Sequence, residues 1–212
     1  MAGFKPSWVA NSVIWIPTTQ AGTKWQNALN NLLTACRCSN VSEDFIIMND
    51  DFFAIHPVNL ETDINLYRNT LDEAIESYRR KVRTRWIKAH SQIKELLESM
   101  GSEHFMNFEL HNPMVINKHK FLKLFRDIKV CMKLKEHGIV LYRSLYGNLN
   151  WSNPQSREGR DCKPAKNKDA QDYMIEWQWL SVFDGVTNNL DKFLKIKTAL
   201  TPFMDKKSIF EK

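Results

Sequence analysis

Two adjacent carboxylates are the first residues in this chain whose type and position could do chemistry. Asp50 and Asp51 follow the apolar run Asp44 to Met48, within Ile46-Ile47-Met48-Asn49-Asp50-Asp51-Phe52-Phe53. Two ionised groups beside an apolar run are costly unless a cation or hydrogen bonds offset their charge. Hard carboxylate oxygens suit Mg2+ or Mn2+. Such an ion can bridge a diphosphate and stabilise its charge as it leaves. The same two residues also have a plainer role open to them: one acid caps the following turn and the other is solvated.

A second group is Phe108-Glu109-Leu110-His111-Asn112-Pro113. On a strand, Glu109 and His111 would share a face. Glu109 could act as general base on an acceptor hydroxyl. A neutral His111 imidazole could ligate a metal, or simply be hydrogen-bonded before the turn. A third group is Tyr142-Arg143-Ser144-Leu145-Tyr146-Gly147-Asn148, followed by Asp161-Cys162-Lys163. Arg143 and Lys163 could hold phosphate oxygens.

A fourth group is basic: Arg79, Arg80, Lys81, Arg83, Arg85 and Lys88, with Tyr78 and Trp86 interleaved. It could track a phosphate backbone and stack bases, or form a solvated helix face. The four cysteines, Cys36, Cys38, Cys131 and Cys162, do not have a common zinc spacing. Free thiols with packing roles are expected.

The elements that must position these groups read as α/β. Ser12 to Ile16 has the look of a short buried strand stopped by Pro17. Trp25, Ala28, Leu29, Leu32, Leu33 and Cys36 recur at helical spacing. Asp44 to Met48 is a strand candidate leading into Asn49. Strand, helix, strand and then acids place a ligand site beyond a strand's carboxyl end. Residues 64–101 read as a helical insertion of one or two helices, with Gly101 as its stop. Phe105 to Leu110 is a further strand candidate. Asn117 can cap a helix running through Phe125. Ile139 to Tyr142 is a short strand or a helix start. Residues 147–170 read as a long loop, Tyr173 to Phe183 as strand-like, and Val186 to Leu200 as a closing helix.

The 212 residues suit one domain. A 43% hydrophobic and 25% charged composition excludes a disordered tail, a collagen-like chain and a disulfide miniprotein. No apolar run is long enough for a membrane-spanning helix. Met1 to Pro6 has no secretory core region, so a cytoplasmic location is expected. The net charge of +6 is unevenly spread: residues 1–75 carry −4 and the rest +10. An acidic part beside a basic part can mean a cation site next to a groove for an anionic partner, or lysine-rich surface helices.

Taken together and in order, Asn49-Asp50-Asp51-Phe52-Phe53, Glu109-Leu110-His111-Asn112-Pro113 and Arg143-Ser144-Leu145-Tyr146-Gly147-Asn148 resemble one family. It is the glycosyltransferase-like family of phages and bacteria related to the Stealth sugar-phosphate transferases. Lys5-Pro6-Ser7-Trp8-Val9 is similar to its early PxW stretch. Trp179 to Asp184 and Ser208 to Glu211 are similar to its two closing segments. The resemblance implies a glycosyltransferase-A-like mixed sheet flanked by helices. It implies a nucleotide-sugar donor and Mn2+ or Mg2+ at Asp50 and Asp51. It makes Glu109 and His111 catalytic candidates, and Asn49, Arg143 and Lys163 donor or phosphate candidates. The family's usual first strand and helix precede the PxW stretch, so an abbreviated N-terminus is expected here. The acceptor is left between a hydroxylated base in phage DNA, met by the Arg79–Lys88 run, and a glycan. Sugar-1-phosphate transfer and a non-catalytic binding module for nucleic acid or protein are the competing readings.

Overall fold

The computed structural model describes residues 7, 11–49, 52–126, 130, 139–150, 157–158, 179–181 and 190–204. Two helices begin at Thr-x-x-Gln or Thr-x-x-Glu, a pairing that satisfies backbone N–H groups the first turn leaves open. Thr23 caps α1 (Lys24–Arg37): its hydroxyl accepts from the Gln26 N–H, and Gln26 Oε1 accepts from the Thr23 N–H at 2.9 Å. Thr70 and Glu73 do the same for α2 (Leu71–Arg80). The expected amphipathic helix is α1, which buries Leu29, Leu32 and Cys36.

The 64–101 region holds two helices, α2 and α3 (Thr84–Ser99), joined by Lys81 to Arg83. They fold back on each other, and Lys94 of α3 reaches Asp72 in the first turn of α2 at 2.7 Å. Gly101 stops α3 as expected, with φ +72°. Its N–H donates to the Glu98 carbonyl and the Ser102 N–H to the Leu97 carbonyl, both at 3.0 Å. That pattern needs a left-handed residue where a Cβ is penalised.

β1 (Asp44–Ile47) pairs antiparallel with β4 (Met114–Asn117), Asp44 opposite Asn117 and Ile47 opposite Met114. Between them in sequence lie β2 (Phe52–Ala54) and β3 (Leu66–Tyr67). Asn117 caps α4 (Lys118–Arg126), its Oδ1 accepting from the Lys120 N–H at 3.0 Å. Next comes α5 (Tyr142–Leu149), followed by β5 (Arg157–Glu158), β6 (Trp179–Ser181) and α6 (Leu190–Met204). β2 pairs antiparallel with β6, and β3 pairs parallel with β5. Helices and strands are thus mixed in a broadly α/β chain. Among the described residues the strands form three separate pairs, not one continuous sheet. One core joins α1, α3, α4 and α5 through Leu32, Ile93, Leu97, Phe121 and Leu145, closed by Ile116 of β4.

Four expectations need correction. Ser12 to Ile16 is not a strand: Asn11 and Ser12 form a turn, and Ile14 is 53% exposed. An apolar run becomes a strand only where another edge accepts its hydrogen bonds. Phe105 to Leu110 lies outside any strand ladder, with one isolated bridge between Met106 and Thr70. The helical reading of 64–101 holds only from Leu71, since Leu66–Tyr67 is β3. The stretch read as a loop from 147 opens in helix, since α5 runs to Leu149, and contains β5. Leu190 to Leu200 is helical as expected, and the strand within Tyr173 to Phe183 spans Trp179–Ser181.

Candidate active site

The site is built around a segment that lacks a strand partner on one side. The backbone of residues 105–113 finds its hydrogen bonds elsewhere. Toward β3 and α2, Asn107 N–H donates to the Asn69 carbonyl at 2.7 Å, and the Phe105 carbonyl accepts from Leu71 N–H at 2.7 Å. Toward α5, side chains replace a strand. Asn148 Oδ1 accepts from Met106 N–H, and Asn148 Nδ2 donates to the Met106 carbonyl, both at 2.7 Å. Ser144 Oγ accepts from Phe108 N–H at 3.1 Å. Buried backbone groups must be paired, and here helix side chains do the pairing.

Ser144 continues the network to the chemistry. Glu109 Oε1 accepts from the Ser144 N–H at 3.0 Å and from the Ser144 hydroxyl at 3.1 Å. Burial pushes the Glu109 carboxyl above its ordinary value. The Ser144 N–H bond, the Arg143 charge, the Ser144 hydroxyl and His111 oppose that rise without cancelling it. Such a carboxylate is easier to protonate than a surface one.

Arg143, only 6% exposed, bridges two segments. Its Nη1 donates to the Asn112 carbonyl at 2.6 Å and its Nη2 to Asn49 Oδ1 at 3.3 Å. Asn49 ends the segment after β1, and its carbonyl accepts from Phe52 N–H at 3.3 Å across Asp50 and Asp51. Those two acids lie outside the described residues, as do Lys163, Cys131 and Cys162. His111 is half-buried and meets the Phe52 ring edge-on, with centroids 6.4 Å apart. Phe52 is buried and Phe53 is half-buried.

Asn49, Glu109, His111 and Arg143, expected from three distant stretches, are therefore gathered in one place. Ser144, Asn148 and Gly147 are the residues that sequence reasoning quoted without giving them a role. Gly147 lies against the Phe108 ring, where an added Cβ would sit 2.5 Å from Cδ2. A small and two amide- or hydroxyl-bearing residues on one buried helix face was the signal for them.

Among the described residues, no three His, Cys, Asp or Glu side chains gather as metal ligands. Asn49 Oδ1 is engaged by Arg143, and Glu109 Oε1 by Ser144.

The basic run divides between two helices and their turn. Arg79 and Arg80 end α2, Lys81 and Arg83 lie in the turn, and Arg85 and Lys88 begin α3. All six are exposed. The interleaved aromatics are not free platforms for bases. Tyr78 and Trp86 stack on each other at 5.5 Å, and Trp86 meets Trp25 edge-on at 6.1 Å. Cys36 is buried, and burial pushes its thiol up to about 11, as suits a packing role. No helix among the described residues is long and apolar enough to cross a membrane. Comparison with protein-family models, with curated proteins and with solved structures finds no match to this chain.

Proposed function

We propose that this chain is a glycosyltransferase of glycosyltransferase-A type, moving a sugar from a nucleotide-sugar donor to a hydroxyl acceptor with Mn2+ or Mg2+. The observation that carries this reading is the meeting of Asn49, Glu109, His111 and Arg143 from segments up to 94 residues apart. In this reading Asp50 and Asp51 hold the cation, which when bound offsets charge on the donor diphosphate. Glu109 takes the acceptor proton, and Ser144 orients its carboxylate through two hydrogen bonds. Arg143 ties Asn49 to the Asn112 carbonyl and so steadies the approach to the acidic pair. Lys163 contacts donor phosphates, and His111 orients a reacting group.

The test is donor hydrolysis with Mn2+ in Asp50→Asn and Asp51→Asn. Turnover falls at least a hundredfold if the two carboxylates hold the ion; unchanged turnover rejects the metal role. Product analysis separates sugar transfer from sugar-1-phosphate transfer. One observation favours a second reading, a non-catalytic binding module: the Arg143 guanidinium is engaged inside the protein. Equilibrium binding of nucleotide sugars decides, because a module would bind none with or without Mn2+.

A further inference from the structure

Between Glu76 and Glu95 the sequence holds seven Lys and Arg residues and no acid. The fold gathers six of them, Arg79 to Lys88, at the closed end of the α2–α3 hairpin. The acids of the same two helices, Asp72, Glu73, Glu76, Glu95 and Glu98, are exposed toward its open end. The hairpin is thus polarised along its length, with a protruding cationic apex.

Arg79 and Arg80 suit the C-terminus of α2, and Arg79 pairs with Glu76 at 3.4 Å, but local rules are broken on the α3 side of that apex. Val82 has φ +51° and is 84% exposed, although a β-branched residue is strained there. Arg83 occupies the N-cap of α3 without a side-chain cap hydrogen bond, and no acid stands in the first turn. Cations at the positive end of a helix oppose its stability. Residue types that work against the fold at one exposed point are best explained by what they meet outside the chain.

The chemistry of that partner can be narrowed. Six exposed cations call for a dense polyanion. Tyr78 and Trp86 stack on each other, and Arg85 lies over the Trp25 ring at 5.0 Å, so the aromatic faces serve the hairpin itself. Single strands are usually gripped by open aromatic platforms. A lipid surface calls for more apolar area than one valine offers. We propose that the α2–α3 apex docks on the phosphate backbone of double-stranded nucleic acid without reading its bases. This deepens the acceptor side of the sugar-transfer reading, and it is measured without donor or metal.

The experiment uses the full chain and a labelled duplex of about 20 base pairs, with binding followed by anisotropy across a salt series. Each phosphate contact adds about 0.9 to the slope of log K against log salt. The triple variant Arg80→Gln/Lys81→Gln/Arg83→Gln should lower the slope by about 2.7 and weaken binding at least tenfold. The control Lys120→Gln/Lys123→Gln/Arg126→Gln removes the same charge from exposed positions on α4 and should leave the slope close to that of the parent. Thermal melts confirm that each variant folds. A flat salt response, equal losses in both triples, tighter binding to a single strand of the same length, or binding to phosphatidylserine vesicles in place of duplex would each overturn the proposal. Loss of donor hydrolysis in the Asp50 and Asp51 variants bears only on the sugar-transfer reading, so the two fail separately.

Discussion

Gly147→Ala tests the packing that holds the candidate site together. Gly147 lies within α5, where alanine ordinarily stabilises a helix by about 1 kcal/mol over glycine. Here its Cβ would lie 2.5, 2.7 and 2.8 Å from three atoms of the Phe108 ring. Carbon atoms rest about 3.5–4.0 Å apart, so the ring must retreat by roughly 1 Å. Phe108 has little room for that. It is fully buried, its backbone N–H is held by Ser144 Oγ at 3.1 Å, and its ring meets Tyr67 edge-on at 5.9 Å. Overpacking a dense core costs about 1–3 kcal/mol, and this rigid neighbour belongs at the upper end. After the helix-propensity gain, the expected net loss is about 2 kcal/mol, or about 4–8 °C in Tm for a chain of this size. Urea and thermal unfolding measure it. The companion is Phe108→Leu, which opens the space: in that background Gly147→Ala should cost nothing or stabilise. If Gly147→Ala is as stable as the parent, or costs the same in both backgrounds, the close approach of α5 to residues 105–113 is not what holds them.

Two further outcomes follow from the same geometry. Burial holds the Glu109 carboxyl above its ordinary 4.5, so its contribution to stability is full below that pH and is lost as pH rises through the raised value. Glu109→Gln keeps the acceptor for Ser144, so urea midpoints should converge below pH 4.5 and favour the variant at pH 7–8 while sugar transfer is lost; parallel pH profiles would refute this. Val82→Asn puts a residue tolerant of positive φ at the strained apex position, and should raise stability by about 1 kcal/mol, or Tm by 2–4 °C, without altering duplex binding. A melt showing no gain would mean that the left-handed backbone there carries no cost.

Local chemistry made much of this fold readable. The apolar spacing of α1, the helical character of residues 71–99, their stop at Gly101 and the cap at Asn117 all depend on neighbours within one or two turns. The strand at Asp44 was legible from its apolar run, but its partner β4 was not: Met114 to Asn117 is short and follows a proline, and only pairing with β1 gives it a ladder. Ser12 to Ile16 failed for the converse reason, having strand composition and, among the described residues, no strand partner.

The candidate site divides the same way. Residue types at Asn49, Glu109, His111 and Arg143 were enough to nominate them, because carboxylate, imidazole and guanidinium chemistry is written in the side chain. Their meeting was not in the spacing. Arg143 reaches Asn49 across 94 positions, and Ser144 reaches Glu109 across 35. The sequence by itself determined where helices start and stop and which groups carry charge, since propensity, capping and ionisation are local. Only the tertiary structure decided that residues 105–113 are held by the side chains of α5 in place of a strand, and that six cations share one apex. Those outcomes depend on which distant surfaces bury each other and which backbone groups are left to pair.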